Sequence, residues 1–266
     1  MGKVWFGVAL SWAVALAATA GATGASKPAG YLADKSIEMD LNYRVPKVPD
    51  NRSEVGRMDL AMVVMAQTND PARYQEAYED AVAYGFAPLM GRFKAAAGTD
   101  ISPETRPILA HILSRIIADS MAYAGFAKAA GNRPRPYIED PRIVPCETDF
   151  LRHSDQQSYP SGHATNGYAA ALILADIMPE RAQPLLERGI RFGMSRVICG
   201  VHHPIDVEQG RLLAIAIFAA ARQQPEYAAD LACAKEEDRH SLYIDFTLTE
   251  PCKMLNMRYR SDSKAG

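Results

Sequence analysis

The chain has 266 residues, 48% of them hydrophobic, and a formal net charge of -2. That length and composition suit one domain or a small pair with a sizeable core. The near-neutral balance argues against a protein that grips nucleic acid through bulk positive charge, so any anion must be held by a few placed cations.

In chain order, Met1-Gly2-Lys3 supplies a positive start, and Val4 to Ala18 is an apolar run too short for a membrane span. Small residues follow from Thr19 to Ser26. This reads as a signal peptide over residues 1–25, cleaved after Ala20 or Ala25, with an uncleaved anchor as the alternative. A single domain over 26–266 remains. Tyr31 to Glu54, with Pro46 and Pro49, reads as an extended arm lying over that domain.

Helix signals dominate from there. Gly56 to Gln67 predicts a short apolar helix whose methionines, Met58 to Met65, are packing residues. Asp70-Pro71 is a cap with a first-turn proline, and Pro88 and Gly91 interrupt the helical spacing, so two helices are predicted before Gly98. Ser102-Pro103-Glu104 predicts the start of a long helix to about Ala130, stopped by Gly131, with Ile108, Ile112 and Ile116 on its apolar face. Further helices are predicted over Ala164 to Met178, Glu180 to Ile198, Pro204 to about Gln224 and roughly Glu226 to Asp238. Leu212 to Ala221, between Arg211 and Arg222, is too short to cross a membrane and reads as buried. The sum is an all-α, single-domain helical bundle.

Four cysteines in an exported chain suggest two disulfides, and their spacings fit no zinc pattern. Of three pairings, Cys146 with Cys199 and Cys233 with Cys252 is the one expected. Free buried thiols are the alternative.

Three clusters carry chemistry. They are Lys128 to Pro136 (KAAGNRPRP), Tyr159 to His163 (YPSGH) and Ser195 to Asp206 (SRVICGVHHPID). Lys128, Arg135 and Arg196 supply three cations, which suit the charge that spreads over a phosphoryl group in flight. Ser161-Gly162-His163 falls at a predicted helix start, where backbone N–H groups favour an anion. Asp206 follows His202 by four residues. Its carboxylate is placed to accept the Nδ1 proton and leave Nε2 free to attack phosphorus. His163 is then available to protonate the leaving oxygen.

Lys-x6-Arg-Pro, Pro-Ser-Gly-His and Ser-Arg-x5-His-x3-Asp, in that order, resemble the signature of the type 2 phosphatidic acid phosphatase superfamily. Within it the chain looks most like the class A non-specific acid phosphatases of bacterial periplasms, over about Lys128 to Gly210. The resemblance implies an exported, periplasmic, all-α hydrolase of phosphate monoesters with broad specificity and no metal or other cofactor. It implies small phosphate-ester substrates, no nucleic-acid polymer, and a homodimer or larger homo-oligomer. It implies that Lys128, Arg135, Arg196, Ser161 and Gly162 bind phosphate. His202 would be the nucleophile, Asp206 its orienter and His163 the general acid. Two positions depart from the class. Ala164 stands where threonine or serine is common, and His203-Pro204 replaces a tryptophan-containing pair.

Each cluster alone has a plainer reading: a turn before a helix, a solvated loop, a polar helix cap. On such grounds Arg133 is expected to face solvent, His203 to border the pocket without a direct role, His111 to lie in the core or at its rim, and His153 and His240 to be exposed. A vanadium haloperoxidase, a lipid phosphatase and a phosphate-binding protein without turnover are the competing functions.

Overall fold

A computed structural model describes residues 29–32, 46–67, 70–147, 156–242 and 247–265. The predicted signal peptide, most of the arm and His153 lie outside these residues. Among those described there are ten α-helices and no strand. They are α1 (Glu54–Ala66), α2 (Pro71–Ala81), α3 (Phe86–Ala97), α4 (Pro107–Gly131) and the single turn α5 (Pro136–Glu139). Then come α6 (Gly162–Ile177), α7 (Ala182–Ile198), α8 (Pro204–Ala221), α9 (Pro225–Leu242) and α10 (Glu250–Ala265). No described helix is long and apolar enough to cross a membrane.

Helix α6 is the axis of the bundle. Its buried residues, from Ala164 and Thr165 through Ala169, Ala170 and Ala171 to Leu174 and Ile177, cover every face. A helix apolar all round belongs inside a core. It packs against α4, α7 and α8, with α3 and α9 beside it. Small residues set those distances: a Cβ on Gly167 would fall 2.3 Å from the Phe192 ring of α7.

The capping signal at Asp70 acts as read, and Ser161 caps a helix that begins at Gly162, two residues before the predicted start. Asp70 and Ser161 accept hydrogen bonds from N–H groups of α2 and α6. Elsewhere the boundaries differ. Ser102 does not open α4; it forms a turn with Thr105 and Arg106, and the helix begins at Pro107. Gly131 is the last helical residue, and Asn132, at φ 39°, makes the left-handed stop. Pro179–Arg181 is a short 3-10 turn ahead of α7. Helix α10, which the sequence did not suggest, is tied to α9 by Cys233–Cys252. Cys146–Cys199 joins the loop after α5 to the end of α7.

The methionines of α1 are not core residues. Met58, Met62 and Met65 are 68%, 52% and 83% exposed, and the first two line an apolar groove with Pro204 and Ile205. The arm is described at its two ends, 31–32 and 46–54. Its Tyr31 and Leu32 N–H groups donate to the buried Asp119 carboxylate, and the Ala29 carbonyl accepts from Arg115. His111 stacks on Tyr259 of α10.

Candidate active site

The three clusters meet at one end of α6. Ser161 caps α6, its hydroxyl accepting from the Ala164 N–H, and Gly162 opens the helix. A Cβ on Gly162 would lie 3.8 Å from Lys128 Cε. Lys128, from the last turn of α4, reaches the Gln157 carbonyl at 2.5 Å. Arg135 leaves the loop after α4, donates to the Val201 carbonyl at 2.8 Å, and approaches His202 Nε2 at 3.0 Å. Arg196, in the last turn of α7, donates to the Ala81 carbonyl. Its Nε is buried without a hydrogen-bond partner among the described residues. Such an orphaned donor costs free energy unless something else accepts from it.

Crowding among these cations shifts their proton affinities. Burial, then the charges of Arg135 and Arg196, push the Lys128 ammonium down to about 7. Burial and Arg196 push Arg135 down to about 10. Burial is also the largest cause that holds His163 and His202 well below the usual histidine range, aided by Arg196 for His163 and by Arg135 for His202. Both imidazoles are therefore neutral in this arrangement.

His202 sits just past Gly200, whose φ of 69° turns the chain out of α7 and leaves no space for a Cβ beside Ile143. His202 Nδ1 lies 3.5 Å from Asp206 Oδ2 and 3.4 Å from the Ser158 hydroxyl. Asp206, in the first turn of α8, is fully buried. Burial pushes its carboxyl up, but hydrogen bonds from His202 and His203 and the charge of Arg133 outweigh it, leaving the group well below the usual range. His163 points its Nε2 at the Asp80 carbonyl, 2.9 Å away, and its ring stacks on Phe192 with Tyr84 edge-on.

The description PAP2 superfamily matches residues 108–230, which contain all three clusters. A non-specific acid phosphatase of Providencia stuartii is 33% identical over 217 residues, 80% of this chain and 86% of the relative. One of Salmonella typhimurium is 35% identical over 216 residues, 77% of this chain and 83% of the relative. The chain belongs to the PAP2 superfamily. An acid phosphatase of Zymomonas mobilis subsp. mobilis is 33% identical over 171 residues, 64% of each chain. These relatives make this PAP2 chain a hydrolase of the phosphatase class.

Other residues of this PAP2 chain support the site without a motif of their own. Arg133, expected at the surface, is 1% exposed and donates to Asp206 Oδ1 and Asp59 Oδ2, each at 2.7 Å. His203, expected at the pocket border, is fully buried and contacts Asp206 directly, with its backbone N–H and Nδ1 on Oδ2 at 2.9 and 3.1 Å. Ser158 donates to the same oxygen at 2.6 Å. Asp80 accepts from Ser195 at 2.7 Å and pairs with Arg92 and Arg188, which fixes the end of α2 beneath His163. Asp59 and Asp80 lie before the family match, where no motif marked them. For His203, the departure from the class pattern was the available signal.

Proposed function

We propose that this protein is an exported acid phosphatase that hydrolyses phosphate monoesters with broad specificity through a phosphohistidine on His202, without a metal. The observation that carries the reading is the two-sided setting of His202. Its Nδ1 faces the buried Asp206 carboxylate, while its Nε2 faces Arg135 among the three cations.

In this reading Lys128, Arg135, Arg196, the Ser161 hydroxyl and the Gly162 N–H bind the phosphoryl oxygens. The substrate's negative charge offsets the cations that, together with burial, keep the imidazoles neutral, so His163 gains a proton as the ester enters. His202 Nε2 attacks phosphorus, the P–O ester bond breaks, and His163 gives its proton to the leaving oxygen. Because His163 Nε2 faces a carbonyl, which only accepts, Nδ1 is the nitrogen through which that proton passes. Water then attacks the phosphorus, gives its proton to His163, and the P–N bond breaks to release phosphate and regenerate His202. Asp206 balances the positive charge that His202 carries in the intermediate.

Residues 1–25 are proposed to direct export to the periplasm and to be removed. The mature domain, 26–266, acts there as a homodimer or larger homo-oligomer.

The test is turnover of p-nitrophenyl phosphate with excess EDTA, beside His202→Ala. Turnover that survives EDTA and is lost in the variant supports the reading. Turnover lost with EDTA, or retained by the variant, overturns it.

A further inference from the structure

His203 is buried between two carboxylates. Nδ1 lies 3.1 Å from Asp206 Oδ2, and Nε2 lies 3.2 Å from Glu139 Oε2. Carboxylate oxygens only accept, so keeping both contacts takes a proton on each ring nitrogen. The Asp206 oxygen that faces His202 Nδ1 at 3.5 Å is therefore nearer to His203.

The contacts close into a ring. Glu139 Oε1 accepts from Asn51 Nδ2 at 2.6 Å, and Asn51 Oδ1 accepts from Arg133 Nε at 3.0 Å. Arg133 returns to Asp206 Oδ1 and reaches Asp59 of α1 with its other nitrogen. The charged groups facing His203 are thus Asp206 of α8 and Glu139 of α5. Arg133 and His202 flank the Asp206 carboxylate, and Arg135 stands beyond His202. Asn51 and Asp59 lie outside the residues matched to the superfamily.

We infer that His203, clamped by Glu139, is a positioning residue of the phosphatase reaction: it fixes the Asp206 carboxylate and, as a cation beside it, keeps His202 Nε2 free of a proton in acid. This rests on the phosphohistidine reading above. With Arg133, Ser158 and His203 all donating to Asp206, the carboxylate is oriented before His202 uses it. A positive charge 3.1 Å from Asp206 Oδ2 weakens the pull that carboxylate exerts on a second proton at His202. Loss of that charge lets His202 take up its second proton at higher pH, and a doubly protonated imidazole cannot attack.

The experiment compares kcat and KM for p-nitrophenyl phosphate across pH in wild type, His203→Gln, Glu139→Gln and His202→Ala, with Tm as the check of folding. His203→Gln is expected to lower kcat by about tenfold or more, because a displaced orienting group misaligns the nucleophile. KM is expected to stay within about twofold, since the three phosphate-facing cations are untouched. The acid limb of kcat/KM moves toward neutral pH. Glu139→Gln removes the second carboxylate contact, frees His203 to be neutral, and moves the limb in the same direction. It carries the test if His203→Gln does not fold. An acid limb at its wild-type position in a folded variant overturns the inference, even where Tm falls, because support of the fold alone would not move it. Turnover by His202→Ala would instead overturn the phosphohistidine reading on which it rests.

Discussion

Arg133 joins two buried carboxylates, and its loss takes the ion pair from Asp59 and one of several donors from Asp206. Removing one partner of such a network costs about 3–5 kcal/mol. Arg133→Ala is expected to lose that much in urea unfolding, and turnover with it. Arg133→Lys is expected to recover only part, since an ammonium cannot span both partners as the guanidinium fork does. Nothing in Arg133-Pro134-Arg135-Pro136 distinguishes the arginine that faces the pocket from the one that braces it. The difference arises from α1, which brings Asp59 across from a distant part of the chain. The three clusters were legible because phosphate chemistry demands cations and imidazoles at fixed spacings. Their supports, Asp59, Asp80 and Glu139, were not, because a buried carboxylate with a partner looks in sequence like any surface acid. Lys128 offers a residue-scale test. Its ammonium, pushed down to about 7, is partly deprotonated at neutral pH, and phosphate in the pocket draws the proton back. Phosphate binding at pH 7 is expected to take up protons, read as a dependence of calorimetric heat on buffer ionisation enthalpy, and Lys128→Arg should reduce that uptake.

At the scale of elements, the site depends on how closely α8 passes the start of α6. A Cβ on Gly210 would lie 2.4 Å from the Ser161 carbonyl oxygen, a backbone atom with no easy way to yield. Gly210→Ala is expected to push Ser161 and Gly162 away from the cations and to lower kcat/KM by about tenfold or more, with Tm measured alongside. Unchanged kcat/KM would mean that the two helices need not approach so closely. The helices that read clearly in sequence have a local start signal or an apolar stripe, as at Asp70-Pro71 and Ser161. Helix α4 begins later than its start signal suggests because Ser102-Pro103-Glu104 is equally good turn chemistry, and the turn bond from Arg106 to Ser102 wins. Helix α10 is rich in polar and charged residues, and packing of Cys252 and Tyr259 holds it against the bundle. A tertiary contact of that kind leaves little periodic trace.

Over the whole molecule, the site gives stability a definite pH dependence. His163 and His202 are held neutral in the fold, while in the unfolded chain they charge below about pH 6.5. The unfolded state then binds more protons, so stability falls as pH drops through that value. Asp119 works the other way. Burial, against the pull of the Leu32 and Tyr31 N–H groups and the Arg115 charge, raises its carboxyl to about 6, so the fold binds the extra proton between about pH 4 and 6. Comparing Tm with and without phosphate isolates the site. Saturating phosphate is expected to raise Tm more at pH 5.5 than at pH 8, since below neutrality it lets the buried imidazoles charge inside the fold. An equal rise at both values would contradict this.

The phosphohistidine on His202 is tested most directly by trapping it. The protein is mixed with p-nitrophenyl phosphate, quenched in alkali to preserve a phosphorus–nitrogen bond, digested and analysed by mass spectrometry. The expected result is a phosphoryl group on the peptide that carries His202, absent in His202→Ala and accumulating in His163→Ala with this good leaving group. A phosphoryl group on any other residue, or full turnover by His202→Ala, would contradict it.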